Sequence, residues 1–62
     1  MKTRVNRNFI YRNEGMDFNT LMVKANMLAY PYFEYEDNIY FVRFGKKNKF
    51  KTTLVTQNVE EV

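Results

Sequence analysis

The sequence predicts an α+β domain: a single helix packed on one face of a small antiparallel sheet, in the order β-α-β-β-β. Three observations predict it. Phe18, Leu21, Met22, Ala25, Leu28 and Ala29 form one apolar stripe at the helical period. Two β-prone runs flank Asp37-Asn38, a pair with hairpin chemistry. Residues Thr3 to Arg12 alternate as a strand does.

In chain order, the first strand places Val5, Arg7, Phe9 and Tyr11 on one side and Arg4, Asn6, Asn8, Ile10 and Arg12 on the other. Asn13-Glu14-Gly15 is a turn, where Asn and Gly tolerate the backbone angles a turn needs. Asp17 is placed to cap the helix, because its carboxylate can accept from the first free N–H groups. Pro31 closes the helix by disfavouring helical geometry in the residue before it.

Beyond the helix, Tyr32 to Glu36 and Ile39 to Phe44 pair across Asp37-Asn38, with Tyr35 opposite Tyr40 and Phe33 opposite Val42. A five-residue connection over 45–49 then sets Phe44 against Phe50, Val42 against Thr52 and Tyr40 against Leu54. A two-residue loop would instead bring Lys51 onto the apolar face. The expected core is Phe18, Leu21, Met22, Ala25 and Leu28 against Phe33, Tyr35, Tyr40, Val42, Phe44, Phe50 and Leu54. At 62 residues the chain has room for one domain spanning 1–62, with the acidic stretch 58–62 expected to fray.

Composition narrows the function. Cysteine, histidine, serine and tryptophan are all absent. Disulfides, thiolate metal sites, the commonest general base and the Ser or Cys nucleophile are thereby excluded. No phosphate-binding glycine loop or zinc spacing occurs. The expectation is a non-enzymatic binding protein without a cofactor. A core this small also favours association, so a homodimer is one expected state. No run is apolar and long enough for a signal peptide or a bilayer span, so the expected location is cytoplasmic, with no membrane partner. Residues with AT-rich codons number 31 against 9 with GC-rich ones, a bias that fits a phage-like accessory protein or an AT-rich bacterium.

Four constellations are candidates for function. The first is a basic hairpin: Arg43, Lys46, Lys47, Lys49 and Lys51 lie within nine residues and suit phosphate contact, with Arg4, Arg7 and Arg12 extending the footprint. Lysines at a hairpin tip also serve solubility and edge protection. The second is the sheet face turned away from the helix, where Tyr32, Glu34, Ile39, Phe41, Arg43, Lys51, Thr53 and Val55 alternate outward. Tyr32 and Phe41 beside cations offer a stacking platform for bases. Phe41, Ile39 and Val55 equally offer an apolar interface for a protein partner. The third is a second helix stripe, Val23, Met27 and Tyr30, which either joins that interface or is covered locally. The fourth is Glu34, Glu36 and Asp37, whose expected role is an ion pair with Arg43 rather than catalysis. Nucleic-acid binding leads; the alternative is a small regulator or inhibitor that docks on a host or cellular protein.

Overall fold

The computed structural model describes residues 2–43 and 51–62. In chain order these form β1 (Thr3–Val5), a 3-10 turn (Arg7–Phe9), β2 (Ile10–Tyr11), α1 (Phe18–Met27), β3 (Tyr32–Tyr35), β4 (Asn38–Arg43), β5 (Lys51–Leu54), a second 3-10 turn (Thr56–Asn58) and β6 (Val59–Glu61). One helix packs against a small sheet in the expected β-α-β-β-β order. The sheet is mixed: in the order β2-β3-β4-β5, β2 runs parallel to β3 and the remaining neighbours are antiparallel.

Helix α1 begins where its capping chemistry says it should. Asp17 has extended backbone angles and its Oδ1 accepts from the Thr20 N–H at 2.7 Å. At the other end, Tyr30 N–H donates to Ala25 C=O at 2.8 Å and Ala29 N–H to Asn26 C=O at 3.2 Å. Ala29 sits in the left-handed region at φ 62°. This is a Schellman cap, with alanine where glycine is the usual occupant. The helix therefore stops before Pro31 is reached. Leu28, expected in the core, is 55% exposed. Tyr30 packs in its stead, its ring 5.3 Å from that of Tyr11.

The β3–β4 hairpin turns at Glu36-Asp37, both at positive φ, and not at Asp37-Asn38. Tyr35 is thereby opposite Asn38, Phe33 opposite Tyr40 and Tyr32 opposite Phe41. The shift of two residues preserves which side chains share a face. It keeps an aromatic pair on the helix face, Phe33 with Tyr40, and adds one on the outer face, Tyr32 with Phe41, which offsets the weaker turn chemistry of Glu36. Between β4 and β5 the register is the expected one, Tyr40 with Leu54 and Val42 with Thr52. Leu54 is nevertheless 55% exposed, because α1 lies over β3 and β4 and β5 is the sheet edge. Phe44, Phe50 and the 45–49 connection lie outside the described residues.

The N-terminal segment is not one strand. The 3-10 turn at Arg7–Phe9 interrupts the alternation, and its entry is fixed by Asn6, whose side chain accepts from the Asn8 N–H. The interruption changes the phase, so Val5 and Ile10 face the same core while Arg7 and Phe9 are exposed. The segment expected to fray contains a strand. Val59–Glu61 pairs in parallel with Thr3–Val5, and Val59 is buried. The resulting β1–β6 ribbon lies on the sheet face opposite the helix.

The sheet thus carries a core on each face. On the helix side Leu21, Ala25, Phe33 and Val42 are buried. On the ribbon side Val5, Ile10, Ile39 and Val59 are buried, with Tyr32 and Val55 packed against them.

Candidate functional site

The sheet face turned away from the helix is divided in two. The half containing Ile10 and Ile39 is roofed by Val5 and Val59 from the ribbon. Ile39, expected at a partner interface, is 8% exposed and belongs to the core. Val55 is half-buried against that core, and its backbone N–H donates to Ile39 C=O at 2.9 Å. Thr56 pins the same place: its Oγ1 accepts from Ile39 N–H at 2.6 Å and donates to Ile39 C=O at 3.3 Å. The covering ribbon leaves no periodic signal in the sequence, because neither of its strands exceeds three residues.

The other half, towards Phe41, is partly accessible, and Tyr32 stands at its border because it also packs against the ribbon-side core. Tyr32 and Phe41 are half-buried cross-strand partners with ring centroids 5.5 Å apart and planes inclined at 62°. Alternation puts Arg43 and Lys51 on this same face, one row further along. They are exposed and directly opposite each other in the β4–β5 register. Like charges placed so are destabilising. Among the described residues neither makes an ion pair. Lys46, Lys47 and Lys49 continue the basic run in sequence and lie outside the described residues.

The N-terminal arginines do not join this strip as one footprint. Arg12 is engaged by two carboxylates, Glu61 at 2.7 Å and Glu34 at 3.3 Å. These partners, the Glu61 hydrogen bond first, raise the guanidinium pKa above its ordinary value against an opposing desolvation effect. Arg4 and Arg7 are exposed on the ribbon layer, with Arg4 in register with Glu60. The expected Glu34–Arg43 pair is replaced by Glu34–Arg12. Glu34 aligns with Ile39, and Arg43 lies four residues along β4, roughly 13 Å away at strand rise.

The second helix stripe is also broken up. Tyr30 is packed into the helix-side core, Val23 is half-buried and Met27 is 70% exposed.

At the opposite end of the sheet, around the Glu36-Asp37 turn, lies an open depression of about 660 Å³ lined by Glu14, Asp17, Glu34, Glu36 and Asp37 together with Arg12. Hydrogen bonding from Thr20 holds the Asp17 carboxyl below its ordinary pKa, and the Glu36 charge pushes the Tyr35 hydroxyl up. Among the described residues no three carboxylates are arranged to hold a metal ion. No helix among them is long and apolar enough to cross a membrane.

Set against known proteins, the chain matches no family model, no curated protein and no solved structure. It is a small α+β domain with a partly exposed aromatic pair and two surface ion pairs on Arg12. Five of the seven acidic residues line the depression at the turn end, and the other two, Glu60 and Glu61, are on β6. Five of the ten cations fall in sequence from Arg43 to Lys51, and of these Arg43 ends β4 and Lys51 begins β5.

Proposed function

We propose that the protein is a non-catalytic binding module that contacts single-stranded nucleic acid through the uncovered half of the outer sheet face. Tyr32 and Phe41 offer ring surface to an unpaired base, and Arg43 and Lys51 take the adjoining phosphates. Lys46, Lys47 and Lys49 extend the phosphate track in sequence. The observation that carries this reading is the Arg43–Lys51 cross-strand pair beside the Tyr32–Phe41 rings. Two like charges directly opposite cost stability in the free chain, and a phosphate between them converts that cost into affinity. The overall charge of +3 understates the local field, since acids are gathered at the other end of the sheet.

The test is a salt titration with a mixed single-stranded oligonucleotide. Binding should weaken steeply as salt rises, and the double variant Arg43→Gln/Lys51→Gln should flatten the log–log slope by about 1.4, from two lost contacts at roughly 0.7 each. Phe41→Ala should cost about 1–3 kcal/mol of binding through lost stacking, with the salt slope unchanged. Absence of binding at low salt defeats the reading.

A second reading is favoured by Met27 and Leu28, both mostly exposed at the end of α1. A small regulator docking on a host or cellular protein would bury them. Met27→Ala would then weaken capture of that protein, and Arg43→Gln/Lys51→Gln would act mainly on association rate.

A further inference from the structure

β6 is held by a small set of bonds, and that set has the form of a peptide-recognition site. The β1–β6 ribbon shares no strand ladder with the four-stranded sheet. Its own ladder is parallel and three residues long. Two backbone bonds prolong it, Val62 N–H to Val5 C=O at 2.9 Å and Arg7 N–H to Val62 C=O at 3.0 Å. Two-stranded ribbons are marginal in water, and parallel pairing is weaker per residue than antiparallel.

The side chains of β6 add one apolar anchor and one charge. Val59 fills the slot among Val5, Ile10 and Ile39, and Glu61 reaches Arg12. Residues two apart on a strand share a face, so the exposed Glu61 lies on the same side of β6 as the buried Val59, and Glu60 between them lies on the other. With β6 lifted, the molecule would present three adjoining features. These are the open edge of β1, an apolar slot floored by Ile10 and Ile39, and the Arg12 guanidinium still steadied by Glu34 at 3.3 Å.

We infer that the β1 edge is a strand-accepting groove, filled in cis by β6, that takes an extended segment of a partner protein bearing an apolar residue followed two positions later by an acidic one. Backbone pairing with β1 supplies affinity, and the Val59 slot and Arg12 supply specificity, as in strand addition to a sheet edge generally. β6 is then an autoinhibitory occupant. A partner competes against a tethered strand at high effective concentration, so apparent affinity scales with the fraction of molecules in which β6 is lifted. The groove uses β1, Ile10, Ile39 and Arg12, and so stands or falls apart from the Arg43–Lys51 strip.

Two measurements on the full chain decide it. Hydrogen exchange should show the Arg7 and Val62 amides exchanging at least about tenfold faster than the Leu21 and Val42 amides, as expected of local opening. Equal protection of the two sets means β6 leaves only on global unfolding, and overturns the inference. The second uses a synthetic peptide of residues 56–62, TQNVEEV, added to the full-length Val59→Ala chain. It should bind saturably, shifting the Val5, Arg7 and Ile10 amide signals, and at least about tenfold more weakly to the unaltered chain. The peptide carrying Lys at its Glu61 position should fail. No binding to a folded Val59→Ala chain overturns the proposal. Unfolding of that chain, read from its helical circular dichroism, overturns it too, because the strand is then inseparable from the fold.

Discussion

The two faces of the sheet are closed by different means. On the helix side, four buried residues are ringed by five half-buried aromatics, Tyr11, Phe18, Tyr30, Tyr35 and Tyr40. Phe18 alone meets three rings edge-on, Phe33 at 5.2 Å, Tyr35 at 5.4 Å and Tyr40 at 4.9 Å. Phe33 also stacks on Tyr40 at 5.3 Å, with planes only 16° apart. The cover on this face is a helix whose ends are both capped. On the ribbon side the buried residues are only Val and Ile, and the cover is two three-residue strands. Large rings contribute more burial per residue than branched aliphatics, and a capped helix satisfies its own backbone where a short ribbon cannot. The difference predicts that substitutions on the helix side cost more stability than those on the ribbon side.

The largest expected effect is on the aromatic side. Phe33 is completely buried. Phe33→Ala should cost about 3–5 kcal/mol. A chain of this size holds roughly 3–9 kcal/mol in total, so the variant should be largely unfolded at 37 °C by circular dichroism. On the ribbon side Val59→Ala should cost only about 1–2.5 kcal/mol, from two lost methylene equivalents and a small cavity. Its thermal melt should remain cooperative while the Arg7 and Val62 amides lose protection. Comparable destabilisation by the two substitutions would erase the contrast between the faces.

The cap of α1 is the next point to probe. Asp17 has a lowered pKa because Thr20 hydrogen-bonds its carboxylate. A depressed carboxyl contributes stability that is present above its unfolded pKa and is lost as pH falls through the folded value. The melting temperature should therefore drop in the acid range below about pH 4, and Asp17→Ala should both lower it at neutral pH and reduce its acid dependence. At the other end of the helix, Ala29 holds φ 62° in a position suited to glycine. Ala29→Gly should raise stability by about 0.5–1 kcal/mol, a rise in melting temperature readable against the unaltered chain.

The same contrast explains what could be read in the sequence. The helix, its Asp17 cap, the β4–β5 register and the sharing of Phe33, Tyr35, Tyr40 and Val42 on one face all follow from local spacing. The Glu36-Asp37 turn did not, because sliding the register by two residues leaves every face unchanged and only the aromatic pairings tell the registers apart. The ribbon was less legible still. Thr3 pairs with Val59 across almost the whole chain, and the acidic character of 58–62 reads as a solvated tail until Arg12 is placed beside Glu61. For the candidate site, the outward set Tyr32, Phe41, Arg43 and Lys51 was legible from alternation. That Ile39 leaves the set was not, since its cover comes from both distant ends of the sequence.

The smallest expected effect tests the one place where the faces are joined by charge. Arg12 follows β2 and reaches Glu34 on β3 and Glu61 on β6, so it ties the main sheet to the ribbon. All three side chains are a third or more exposed, and solvent screening holds such pairs to about 0.2–1 kcal/mol each. Arg12→Ala should therefore lower stability by less than Val59→Ala does, and the deficit should shrink as salt is raised. Its local signature should be larger than its global one, with faster exchange at Val62 and little change at Leu21. Glu61→Gln, which keeps the shape and removes only the charge, should reproduce the effect at Val62. Glu34→Gln should not, because the tie it weakens lies within the four-stranded sheet. If all three variants lost the same small amount everywhere in the molecule, Arg12 would be ordinary surface charge and the ribbon would be held by its backbone bonds and by Val5 and Val59 without it.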